Sequence, residues 1–280
     1  MKTLPTIGEL FDRTWSEYKK RFLPILAVFL IGTVLLSSVV MAMVLSSTVT
    51  GALLVHFVNS GTGIVVAAFL LSLFLLILLL LGFWWYTALL AIVADEELGI
   101  IEAFQQGWRL LWPMTWVLTI FSGILCTGFL FGFLPGVLFL VWFGFCPFIL
   151  LIEDHRGMDS LLVSREYVRG YGWQVFLRLL PLWLVSTLAG LIPFLCTLLS
   201  LLLTPFALLY ILGIYRDLRE IKPVVQPAEG GARIFWWIVT IIGLLLPLAL
   251  LAWAAFVILQ SGGQGWLTMP EWQSPHGLSM

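Results

Sequence analysis

Long apolar runs separated by short charged interludes set the pattern of this chain. No Asp, Glu, Lys or Arg occurs in residues 22–94, 110–152, 179–215 or 234–270. A helix needs about 20 apolar residues to cross roughly 30 Å of hydrocarbon, so the first three blocks predict two spans each and the fourth predicts one. The expected fold is all-α, a polytopic transmembrane helical bundle of about seven spans. The spans are expected at 23–45, 63–94, 113–133 and 137–152, twice within 173–215, and at 234–259. Residues 46–62 read as an outer loop and Leu134-Pro135-Gly136 as a minimal turn, while Gly128 with Gly132 forms a GxxxG pair that lets a neighbouring helix approach. The 179–215 hairpin is short for two crossings and carries Pro181, Pro193 and Pro205, so it is either kinked and shallow or partly re-entrant.

The charged interludes have a periodicity of their own. Ile7, Phe11, Trp15, Tyr18 and Phe22 recur at helical spacing, and Glu9, Asp12, Glu17, Lys19 and Lys20 fall elsewhere on the wheel. Thr6 with Glu9 three residues later fits a capping box. Residues 1–22 are therefore expected to form an amphipathic helix, lying in the headgroup plane or packed as a solvated helix on protein. Ile100, Phe104, Trp108 and Leu111 repeat this spacing at an offset of 93 residues, with Glu102 on Glu9, and predict a second such helix near 100–112. A third is expected near 158–172, with Met158, Leu161, Leu162 and Val168 on one face, after a register slip.

Together these give three repeats of interfacial helix plus two-span hairpin, although chance similarity between short amphipathic helices would also produce the match. The six-span membrane domain is expected over 23–220, a cytoplasmic linker over 221–233, the seventh span over 234–259 and an extracytoplasmic tail over 260–280.

Composition and charge sharpen the picture. With 61% hydrophobic and 10% charged residues, the chain lies far from the usual soluble range of roughly 45–50% apolar and about 25% charged. Its net charge of -1 gives no basic excess for nucleic acid. All 14 Lys and Arg fall in segments that this topology places on one side. Basic residues mark the cytoplasmic face, so a multi-pass protein of the cell membrane is expected, N-terminus cytoplasmic and C-terminus extracytoplasmic. No secretory signal peptide is expected. The basic residues best placed to meet lipid headgroups are Lys19, Lys20, Arg21, Arg109, Arg165 and Arg169.

Catalytic chemistry is hard to place. His56, His155 and His276 are isolated, and Cys126, Cys146 and Cys196 sit in apolar runs without metal spacing. There is no HExxH, P-loop or G-x-S-x-G. The acidic group Glu153, Asp154 and Asp159 lies beside Arg156 and Arg165 and reads as a solvated charged face. No catalytic, cofactor or metal site is expected, and the chain is not expected to be an enzyme. A coupled transporter normally carries an ionisable group at membrane depth, which the uncharged blocks lack apart from His56. The expected role is a membrane module that associates with membrane lipids or with another membrane protein; the alternative is a passive channel or transporter for a small or apolar solute.

Pro135-Gly136, the stretch Glu153–Trp173 with Ser164 and Gly170, Tyr215-Arg216-Asp217-Leu218-Arg219, and the phrase Ile7-Gly8-Glu9-Leu10-Phe11 carry a family resemblance. Over most of 1–220 the chain resembles uncharacterised bacterial and archaeal integral membrane proteins related to the membrane domain that precedes some glycerophosphoryl diester phosphodiesterases. The resemblance implies a membrane-embedded, lipid-associated module. Nothing in the sequence looks like the His and Glu metal-binding motifs of the phosphodiesterase domain itself.

Overall fold

In hydrocarbon every backbone N–H and C=O must find its partner within the protein, and the helix provides one locally. The computed structural model describes residues 4–54, 61–190, 193–223, 225–226 and 230–265, and among these the regular elements are helices. In chain order they are α1 (Ile7–Leu54), α2 (Gly61–Ala94), α3 (Ile100–Arg109), α4 (Leu111–Phe131), α5 (Phe133–Phe143), α6 (Cys146–Glu153), α7 (Met158–Val168), α8 (Gly172–Gly190), α9 (Pro193–Ile221) and α10 (Gly231–Gly265).

Among the described residues six stretches are long and apolar enough to cross a membrane: Ile7–Leu45, Phe69–Ala94, Leu111–Phe131, Phe133–Glu153, Leu201–Ile221 and Gly231–Ala254. The protein is an all-α polytopic membrane bundle. The expected fifth span is the shorter apolar stretch Gly172–Leu188. Its helix, α8, has 19 residues, or about 28 Å at 1.5 Å per residue, just under the hydrocarbon thickness.

The structure departs from the sequence reading in several places. Residues 7–22 do not form a separate helix, because α1 runs unbroken through Pro24 and past Ser46 to Leu54. An apolar environment leaves a broken helix with orphaned backbone groups, so continuation is favoured over a loop at 46–54. The α4–α5 turn is made by Gly132 in the left-handed region (φ 138°), and Pro135-Gly136 lie inside the first turns of α5. Gly128 and Gly132 therefore do different work: a Cβ on Gly128 would lie 3.0 Å from the Cα of Gly136, so this glycine sets the α4–α5 approach. Helix α7 also departs from expectation, because Met158, Leu161, Leu162, Val163, Ser164, Tyr167 and Val168 are all buried, leaving no broad face for a headgroup plane. His56 and His276, the middle of the expected outer loop and most of the 260–280 tail lie outside the described residues.

The helices close into a ring of three units. The start of α1, with the rest of α1 and α2, makes the first; α3, α4 and α5–α6 the second; α7, α8 and α9 the third. Helix α3 packs on α2, α7 on α5 and α6, and the start of α1 on α9. Each interfacial element thus rests on the second arm of the preceding unit, and the first unit's element rests on the third's. At the centre α2 touches both α6 and α9, with Phe145 and Phe148 stacked on Tyr215 at 6.4 Å. Helix α10 lies outside this ring against α4, where a Cβ on Gly243 would collide with the Gly123 carbonyl oxygen. Close backbone approach through glycine is the usual way helices associate in lipid.

Candidate functional site

Charged side chains cost most where they are dry, so most of them here are tied to partners. Glu153, at the end of α6 and 10% exposed, accepts hydrogen bonds from Tyr167 (2.7 Å) and Tyr215 (2.5 Å) and pairs with Arg219 at 3.4 Å. His155 lies 3.8 Å from its other oxygen. Burial, then the bond to Glu153, makes the Tyr167 phenol hold its proton more tightly than usual. Lys222 donates to the carbonyls of Glu166 (2.6 Å) and Arg169 (2.7 Å) and so caps α7. Burial lowers its ammonium below the ordinary lysine value. The sequence reading of Glu153, Asp154 and Asp159 as a solvated face fits only Asp154: Glu153 is a buried acceptor, and Asp159 pairs with Arg233 at 3.5 Å.

A second network fastens α1. Arg13 meets buried Asp217 at 3.0 Å, Glu17 meets Arg216 at 3.6 Å, and Arg178 donates to the Pro5 carbonyl at 3.1 Å. Arg21 donates to the carbonyls of Ile92 (2.6 Å) and Asp95 at the end of α2. These contacts gather the charged ends of α1, α2, α6, α7 and α9 at one end of the bundle.

Of the expected headgroup contacts, two are occupied internally and a third has a carboxylate beside it at the surface. Arg21 caps α2. Arg165 lies between the rings of Trp142 (5.3 Å) and Trp236 (5.5 Å). Arg169 pairs with Glu166 at 3.4 Å. Lys19, Lys20 and Arg109 are exposed and have no carboxylate partner among the described residues; Lys19 lies over the Trp15 ring at 5.2 Å.

Two of these free cations border open apolar cavities whose aromatic walls correspond. Lys19 edges a cavity of about 660 Å³ lined by Phe11, Trp15 and Tyr18 of α1, Val185 of α8, and Leu203 and Phe206 of α9. Arg109 edges one of about 580 Å³ lined by Trp84, Ile101, Phe104, Gln105 and Trp108. The 93-residue offset holds in detail here. Glu9 accepts from the Thr6 N–H at 2.9 Å and Glu102 from the Gly99 N–H at 3.1 Å. Leu10 and Thr14 are buried beside Gly213, while Ala103 and Gly107 are buried, with Gly107 against Ala88. Phe206 lies 5.4 Å from Phe11 and 6.0 Å from Trp15. Trp84 takes the same place, 5.3 Å from Phe104 and 6.2 Å from Trp108.

Phe206 and Val185 gave no signal in the sequence, since apolar residues fill their surroundings and only packing selects these two. Trp84 lines the Arg109 cavity, packed beside Phe104. Compared with family models, curated proteins and solved structures, the chain matches none of them.

Proposed function

We propose that this multi-pass membrane protein is a non-catalytic module of the cell membrane that associates with anionic lipid at its charged end, with that end and the N-terminus in the cytoplasm. The observation that carries this reading is the trio Lys19, Lys20 and Arg109: exposed cations without carboxylate partners among the described residues, two of them at the edge of aromatic cavities. An exposed ammonium or guanidinium beside a tryptophan suits the membrane interface, where phosphate lies outside and the ring is half in hydrocarbon. Lipid association is preferred to solute passage because buried apolar side chains, including Leu89, Ile92, Phe148 and Leu212, fill the middle of the ring.

The test is lipid retention by the purified protein in native mass spectrometry. Each basic residue near an anionic surface contributes about 1 kcal/mol, so the variant Lys19→Gln, Lys20→Gln, Arg109→Gln should hold phosphatidylglycerol about a hundredfold less tightly. Arg165 lies between two tryptophan rings, so Arg165→Gln should change retention little. Unchanged retention in the triple variant, together with solute flux through proteoliposomes, would replace this reading with passive transport. Orientation is checked by cysteine labelling in intact cells. A cysteine at Gln264 should react with an impermeant thiol reagent and one at Pro227 should not; the reverse result would invert the topology.

A further inference from the structure

The cavity at Lys19 continues into a second of about 100 Å³, lined by Ile7, Pro181, Leu182 and Tyr210 together with four residues of the first, Phe11, Val185, Leu203 and Phe206. The two form one groove between α1, α8 and α9. Tyr210 donates to the Arg178 carbonyl at 3.0 Å, and Arg178 in turn holds Pro5, so polar bonds stitch the groove at the end marked by Tyr210 and Ile7. At the other end stands Lys19.

The ring supplies a comparison for what such a groove takes. In the second unit the corresponding space, walled by α4, α5 and α7, is filled by α10. Trp236 packs on Phe139 at 5.3 Å and Phe143 at 4.8 Å and covers Arg165, and Thr127 donates to the Val239 carbonyl at 2.6 Å. That seat admits a helix because Gly123 of α4 faces Gly243 of α10, letting two backbones approach. The groove at α8 is walled by Pro181, Leu182 and Val185, with no small residue among them. It can take a thin, flexible, apolar chain but not a closely packed helix. The cation at its rim has a ring to lie on and no carboxylate partner among the described residues.

We infer that the α1–α8–α9 groove is a seat for one acyl chain of an anionic phospholipid, with the phosphate met by the Lys19 ammonium. This rests on the lipid-binding reading above and adds its site. An apolar slot of a few hundred cubic ångströms with one charged group at its edge is the usual form of a site that both buries and orients an amphiphile.

Two arms test the seat. In the first, Val185→Trp and Leu203→Trp fill the groove and leave every rim cation in place. Native mass spectrometry with phosphatidylglycerol should show one tightly held lipid on the parent protein, resistant to collisional activation, and at least tenfold less of it on the filled variants. The exchangeable lipid that depends on Lys20 and Arg109 should persist. If filling leaves the tightly held lipid in place while the triple cation variant loses lipid, the rim reading stands and the seat is refuted. If neither set of variants changes retention, both are refuted.

The second arm guards against misfolded variants. A benzophenone amino acid at Leu203, irradiated in phosphatidylglycerol nanodiscs, should give an adduct of lipid mass, suppressed by Lys19→Gln and weaker in phosphatidylcholine. A polypeptide adduct would assign the groove to a partner helix and overturn the proposal, as would an equal yield in the two lipids.

Discussion

Arg165 and Lys19 both lie against tryptophan, yet they have opposite fates. The Arg165 guanidinium is covered by Trp236 from α10, whereas the Lys19 ammonium is left exposed at the mouth of a cavity. The elements around them correspond, since α7 rests on α5 and α6 as the start of α1 rests on α9. What differs is the appended helix, which lies against one side of the ring. A repeated architecture need not give repeated chemistry: the element added outside the repeat decides which copies are sealed and which stay open to a ligand.

That contrast can be broken most forcefully at Trp236, whose side chain is almost fully buried. Trp236→Ala should cost roughly 3–5 kcal/mol, read as a fall in the thermal midpoint of the detergent-solubilised protein, and should open a cavity beside Arg165. If the comparison is right, the variant also gains retained phosphatidylglycerol; stability loss without added lipid would show that burial of Arg165 is not what withholds it from headgroups. A smaller effect separates the two cations directly. Arg165→Gln should lose about 1–2 kcal/mol, as expected for a half-buried cation between aromatic faces, while Lys19→Gln should leave stability nearly unchanged. Equal losses would mean that Lys19 is as enclosed as Arg165. Finest of the three is the pair of caps. Glu9→Ala and Glu102→Ala should each lower the thermal midpoint only slightly and by similar amounts, because both carboxylates hold the N–H at the same place in the repeat. A large disparity would weaken the equivalence of the two units.

Much of the fold was legible because membrane residence is written in local composition. Charge-free runs marked the spans, and the Phe11–Trp15 and Phe104–Trp108 spacings marked two elements that the structure builds alike. The third copy was the weakest match and proved the most different. Met158, Leu161, Leu162 and Val168 looked like one apolar face, but Ser160 and Ser164 on the remaining surface are buried too, with Ser164 donating to the Trp142 carbonyl at 2.8 Å. A short polar side chain reads as solvated until a distant carbonyl is found beside it. The candidate headgroup contacts divided for the same reason. Nothing local distinguishes Arg21, which reaches carbonyls at the far end of α2, from its neighbour Lys20, which reaches none among the described residues.

Hydropathy and helical period depend only on near neighbours, and these alone determined that the chain is helical, lives in a membrane and keeps its cations in a few interludes. Closure of the three units into a ring, the covering of Arg165 and the exposure of Lys19 depend on contacts such as Arg13 with Asp217 and Thr127 with Val239, which join residues far apart in sequence. Those pairings have no signature along the chain, because any of several apolar faces could have met. Packing chose among them, and in choosing left the α1–α8–α9 groove unfilled.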